Sequence, residues 1–273
     1  MEKLHHLLVI STICIMVTVN SVTMVAVPVI INNLAYELDE QNKTAEVVYD
    51  LSTYHYKKDF DIPTSVLHQG QIYDVTSIGD WAFKGLTYME SVTIPNSVVE
   101  IKYCAFKSCP GLDSVIIPNS VTTIGNEAFS QCKGLRSIVL PESLKIINYR
   151  MFFNCWNVQL FYLPASIDSI GSNACLFCRM TEFTCHAATP PALGDNVFGG
   201  QANKAFLYVP AESVELYKAA DQWKEFKFIK AIETTDIYSS QLDHAPCSKR
   251  VQDGQIVIDL RDKTYTIDGI RIR

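Results

Sequence analysis

Residues 120–143 read SVTTIGNEAFSQCKGLRSIVLPES, and the positions of this stretch recur every 23 residues on either side of it. Pro95, Pro118, Pro141 and Pro164 are spaced by that period, each after an apolar residue (Ile94, Ile117, Leu140, Leu163) and two residues before a serine (Ser97, Ser120, Ser143, Ser166). The same register lines up Val75, Val98, Val121, Leu144 and Ile167, then Ile78, Ile101, Ile124, Ile147 and Ile170. It also lines up Phe83, Phe106, Phe129 and Phe152, followed by Met89, Leu112, Leu135 and Val158. The next copy is one residue shorter after Cys178, so Met180, Phe183 and Cys185 take the places of Val158, Phe161 and Leu163. A period in the 20–29 range with an L-x-x-I-x-I core specifies a solenoid, because one such unit cannot bury its own apolar side and stacking supplies the core.

Within each unit the alternation Leu112-Asp-Ser-Val115-Ile-Ile117 predicts a strand, stopped by a proline that cannot donate to a ladder. Val121-x-x-Ile124 opens a second extended segment, and Gly79, Gly125 and Gly171 follow its isoleucine at a tight corner. The stretch at 120–143 resembles the BspA-like leucine-rich repeats of bacterial surface proteins, and the likeness runs from about Ile62 to Ile232. It takes in ATPPALGDNVF…LYVPAESVELYKAADQWKEF, which is similar to the closing module of those arrays. The resemblance implies a secreted or surface-displayed solenoid serving adhesion or protein binding. The fourth and fifth copies depart furthest from it, with Asn148 in place of glycine and Cys175 in place of phenylalanine.

The fold class expected is therefore a leucine-rich-repeat solenoid, mainly β, with two short extended segments per coil, an N-terminal β-hairpin cap and a C-terminal cap containing a short helix. Residues 1–26 carry a short polar start and the apolar run Leu7–Val19, the layout of a signal peptide or, if uncleaved, a signal anchor. Residues 27–61 form the β cap, with Leu34–Leu38 and Ala45–Tyr49 around a turn at Asp39–Lys43. The array spans 62–188 and the closing module 189–232; a linker covers 233–250, and a tail hairpin, or the remnant of a sorting module, covers 251–273. In the closing module a helix over Ser213–Gln222 is expected to turn Val214, Leu216 and Tyr217 inward. Trp223, Phe226, Phe228 and Ile229 are expected to plug the last coil.

The chain has 23 Lys+Arg against 29 Asp+Glu, a charge of −6 with no long basic run, which argues against nucleic-acid binding as its main task. No nucleophile elbow, Walker loop, H-E-x-x-H or dinucleotide glycine pattern occurs, and the histidines have no recurring acidic partner. No catalytic residue, cofactor or metal is assigned. Of nine cysteines, Cys109, Cys132, Cys155 and Cys178 share one repeat position and read as a column of small buried hydrophobes. Cys175-x-x-Cys178 has redox spacing, and with Cys185 and His186 it mimics a zinc set. Both readings conflict with the inward register of these cysteines, whereas a Cys104–Cys109 bridge stays open in an exported protein.

Between the inward positions lie two outward columns, Ser91-Ser114-Ser137-Leu160-Glu182 and Thr93-Ile116-Val139-Tyr162-Thr184. Ile116, Val139, Leu160, Tyr162 and Glu182 are the binding residues this pattern nominates, because contiguous exposed apolar area marks a partner site. The expected role is that of a non-catalytic secreted or cell-surface protein binding a host, neighbouring-cell or matrix protein or glycan. Membrane attachment would come only through an uncleaved anchor. The competing class is an accessory module or small extracellular hydrolase with its chemistry outside the repeats. A third reading makes the array a spacer that displays the tail.

Overall fold

The computed structural model describes residues 27–50, 54 and 57–232 in full, and the backbone of the strands Val17–Thr18, Ser21–Val22, Cys247–Gln252, Gln255–Leu260 and Lys263–Thr266. The leader and linker expectations otherwise lie outside the described residues. The last three strands form an antiparallel meander. No helix among the described residues is long and apolar enough to cross a membrane.

The chain is a β-solenoid of about seven turns. Each coil has three sides, and each side stacks on its equivalent in the next coil. One side is a parallel ladder of two-residue strands, in which Ser77–Ile78 pairs with Glu100–Ile101 and that with Thr123–Ile124. A second side carries Ser91–Thr93, Ser114–Ile116 and Ser137–Val139 in parallel register. Strands this short hold because each inward residue, such as Val115, Ile124 or Ile138, is buried in a core continuous along the stack.

The third side is a ladder of turns. The N–H groups of Cys104, Phe106 and Ser108 donate to the carbonyls of Asn126, Ala128 and Ser130, and Glu127, Phe129 and Gln131 repeat the pattern to Tyr149, Met151 and Phe153. Its geometry needs left-handed backbone at Trp81, Cys104, Glu127, Arg150, Asn173 and Asn196, and again at Ser108, Gln131, Asn154 and Phe177. Behind it the phenylalanine rings stack at 5.1 Å from Phe83 to Phe106 and 5.1 Å from Phe106 to Phe129. Ser120 and Ser143 each donate a hydroxyl, at 2.7 Å, to the carbonyls of Val98 and Val121 one coil earlier.

The stack is divided at one level. Thr123–Ile124 and Ile146–Ile147 lie in different sheets, and so do Ser137–Val139 and Leu160–Leu163. The Phe129–Phe152 centroids are 6.0 Å apart at this level. Asn148 stands at the corner here, and its side-chain amide donates to Ile124 O at 2.6 Å. At the equivalent corners a backbone N–H makes that bond: Lys102 to Ile78, Gly125 to Ile101 and Gly171 to Ile147. Lys102 keeps it despite having a Cβ, so the competing amide of Asn148, rather than its bulk, accounts for the change. The turn ladder crosses the division intact.

Both ends are closed. At the amino end Val29–Ile31, Leu34–Asp39 and Thr44–Val48 form an antiparallel meander, and Thr44–Val48 then runs parallel to Gln71–Ile78. The hairpin Ser65–His68/Gln71–Ile78 turns at Gln69 and Gly70, both at positive φ, as a tight two-residue turn requires. Tyr54 covers the first ring of the stack, 5.7 Å from Phe83, while its hydroxyl accepts from Ala35 N and donates to Val48 O. At the other end the helix Val214–Ala219 buries Tyr217, and Trp223 lies against Phe198 with its Nε1 donating to Pro191 O at 2.9 Å. Two expectations for this cap are corrected. Leu216 is 52% exposed and Phe228 is 43% exposed. Leu216 directly precedes the buried Tyr217 and faces away from it, and Phe228 occupies an outward position of the terminal strand Phe228–Ala231.

Candidate functional site

The outward columns of the second side are where sequence reasoning placed a binding face. Ile116 pairs directly with Val139, Leu160 with Glu182, and Tyr162 with Thr184. Leu160 and Tyr162 are exposed, whereas Ile116, Val139 and Glu182 are half-buried. The nominated residues do not form one ladder, because the division in the sheet separates Val139 from Leu160 and Tyr162. Thr184, expected to face outward, is buried; it stands in register between the larger rings of Tyr162 and Tyr208.

Beyond the division the sheet continues as Leu160–Leu163, Glu182–Cys185, Phe206–Val209 and Phe228–Ala231, all parallel. Its outward positions carry Leu160, Glu182, Phe206 and Phe228 in one column and Tyr162, Thr184, Tyr208 and Lys230 in the other. Phe206 stacks on Phe228 at 4.9 Å, and Tyr162 lies against the His186 ring at 4.6 Å. The ammonium groups of Lys230 and Lys227 sit 5.4 and 5.1 Å over the rings of Phe206 and Phe228. The amino-terminal half of the same side is polar, with Asp59, Ser91 and Ser114 in the first column, and Asp59 accepts from the Ser91 hydroxyl.

The aromatic half thus includes Phe206, Tyr208 and Phe228, which the repeat pattern did not nominate. The offsets from Glu182 to Phe206 and from Phe206 to Phe228 are 24 and 22 residues, so a strict 23-residue register passes over them. The alternation in Phe206-Leu-Tyr-Val209 was the available signal.

The cysteines have other roles. All seven described cysteines are buried free thiols, Cys104 and Cys109 included, so the bridge held open between those two is not formed. The Cys178 thiol donates to Phe152 O, and Cys185 Sγ accepts from the Tyr217 hydroxyl. Desolvation pushes the Cys178 thiol up to about 12 and raises Cys132, Cys155 and Cys175 well above the usual thiol range. These groups are protonated packing elements rather than nucleophiles. Among the described residues no group of three or more His, Cys, Asp or Glu is placed to hold a metal ion.

A family model for the BspA type leucine rich repeat region matches residues 65–182 in six copies. No curated protein matches the chain. Among solved structures, a leucine rich cell surface protein from Faecalibacterium prausnitzii is similar at 21% identity and a TM-score of 0.52, over 89% of this chain and 61% of that one. A leucine rich repeat protein from T. pallidum is similar at 22% identity and a TM-score of 0.53, over 70% of this chain and 90% of that one. At these identities the likeness is one of fold. The chain spans 61% of the length of the Faecalibacterium protein.

Proposed function

Because residues 65–182 belong to the BspA-type leucine-rich repeats, we propose that this chain is a non-catalytic adhesion or protein-binding module acting at or outside the cell surface. Its partner is a protein of a host cell, a neighbouring cell or the extracellular matrix. The observation that carries this reading is the aromatic half of the second side, where Leu160, Tyr162, Phe206, Tyr208 and Phe228 share one outward surface. Aromatic residues are enriched in the cores of protein interfaces, and they supply contact area at small entropic cost. A flat parallel ladder holds these side chains at fixed spacing, so the surface is preorganised before the partner arrives.

The test is a binding screen of residues 27–273 against matrix and cell-surface proteins, repeated with Tyr162→Asp, Tyr208→Asp and Phe228→Asp. Each of these replacements should weaken binding by about tenfold or more. Ser114→Asp, on the polar half, should leave it unchanged. Binding that survives all three aromatic replacements would remove this surface from consideration. The nominated Ile116 and Val139 are tested in the same way, and as half-buried residues across the division they should contribute less.

A further inference from the structure

The repeats act as internal controls for one another: a position where every coil needs the same shape keeps the same residue type, and departures at exposed positions mark something other than packing. On the turn side Trp81 and Tyr103 depart in the first coils, where the cations beside Trp81 are lysines, and two adjacent later coils carry departures that bring arginines to the rings. Trp156 stands where earlier coils have Thr87, Pro110 and Lys133. Phe177 stands where they have Gly85, Ser108, Gln131 and Asn154, and Arg150 where they have Trp81, Cys104 and Glu127. Trp156 is 47% and Phe177 54% exposed, so neither is explained by the core. Phe177 is also held at φ 66, a conformation that costs a bulky side chain energy and that glycine or asparagine adopts readily.

Two guanidinium groups lie on this side, each against its own rings. Arg179 lies 4.1 Å over the Trp156 ring, and Arg150 lies 5.0 Å over Tyr149 and 4.9 Å over Phe153, whose ring meets Phe177 edge-on. Among the described residues neither arginine is paired with a carboxylate, and Arg150 Nε is buried without a hydrogen-bond partner. The backbone beneath is satisfied: Arg150, Phe152 and Asn154 donate to Ser172, Ala174 and Leu176. No ladder edge is offered here, so recognition falls to side chains. Exposed tryptophan and arginine are the residues that dominate protein interfaces. Guanidinium forks that meet no carboxylate among the described residues suit carboxylates of a partner. A long polyanion would be repelled by a chain of charge −6, whereas two local cations suit a short acidic stretch.

We propose that the turn face formed by Arg150, Trp156, Phe177 and Arg179 is a second docking surface, and that it takes an acidic segment of a protein. Carboxylates engage the two guanidiniums and apolar side chains between them cover Trp156 and Phe177.

The full chain is titrated by fluorescence anisotropy with a labelled peptide alternating glutamate and tyrosine, with a lysine–tyrosine counterpart, and with hyaluronan as an acidic glycan. The acidic peptide should bind, and Arg150→Gln, Arg179→Gln and Trp156→Ala should each weaken it by about tenfold. Phe177→Asn provides the separation from folding: it installs the residue the preceding coil carries at this backbone position, so thermal stability should hold or rise while binding falls. Tyr208→Asp, on the strand face, should leave this binding unchanged. Equal binding of the two peptides, unchanged affinity in the arginine variants, or tighter binding of hyaluronan than of the acidic peptide would each overturn the proposal.

Discussion

The thiol of Cys132 donates to the carbonyl oxygen of Phe106, one coil earlier, across 3.0 Å. Cys109, Cys155 and Cys178 repeat the bond to Phe83, Phe129 and Phe152 at 3.0, 3.0 and 3.1 Å. The cysteine column therefore fills volume and also satisfies a buried carbonyl in each coil. Cys132→Ser keeps a donor and should cost about 1 kcal/mol, whereas Cys132→Val removes it and adds bulk, costing about 2–4 kcal/mol. Urea denaturation of the two variants checks the order.

The same thiols set a limit at high pH. Burial raises their folded-state values above the unfolded thiol value of about 8.5, so the folded chain holds more protons than the unfolded chain once pH exceeds that value. Stability is then fully present below about pH 8 and falls as pH rises toward the folded value of about 12 for Cys178, by up to about 1.4 kcal/mol per pH unit for each such thiol. Thermal unfolding followed from pH 7 to 11 should show a steepening loss. Replacing Cys155 and Cys178 by serine should flatten it.

Asn148 gives a third expectation. Asn148→Ala removes the competing amide. Since Lys102 makes the equivalent backbone bond despite its Cβ, the N–H of residue 148 should take over the bond to Ile124 O, and the cost should stay within about 1 kcal/mol. Asn148→Gly allows the backbone bond that Gly125 and Gly171 make, and should cost less or stabilise. Amide hydrogen exchange reads the local effect: the amide of residue 148 should be more protected in both variants than in the parent chain.

Glycines at the corner and in the turn should respond oppositely. A Cβ on Gly125 would lie 2.6 Å from both Lys102 C and Tyr103 N, so Gly125→Ala forces backbone to move and should destabilise by more than about 2 kcal/mol. Gly85 has nothing within 4 Å of the same atom, and its equivalents in later coils include Asn154. Gly85→Asn should therefore change stability by about 0.5 kcal/mol or less. Melting temperatures of the pair decide it.

Much of this architecture was legible in one strand of reasoning, the period itself. Once Val121, Ile124, Phe129, Leu135 and Ile138 fall in columns, the inward side of every coil follows, and all five are buried. Periodicity is blind to what a single residue does to its neighbour's hydrogen bonds. Nothing in the columns shows that the amide of Asn148 displaces a backbone N–H, so the divided sheet, and with it the separation of Val139 from Tyr162, was not readable. Phe206, Tyr208 and Phe228 escaped for a related reason: spatial register persisted while the sequence spacing drifted. Arg150 lies three residues from the Phe153 ring it covers, and Arg179 stands one period, 23 residues, after Trp156, so stacking of adjacent coils brings the two together.

Coils on either side of Asn148 are joined by a backbone ladder along the turn side, and along the strand sides by side-chain bonds, from Asn148 to Ile124 O and from Ser143 to Val121 O. Where two of three backbone ladders are interrupted the rod has a crease, bridged by those side-chain bonds and by the shared core. The aromatic strand face lies wholly beyond that crease, and the Arg179–Trp156 contact spans the two coils immediately past it. Both surfaces therefore sit on coils joined by continuous ladders on one side of the crease, and the spacing between their side chains is set within that single stretch.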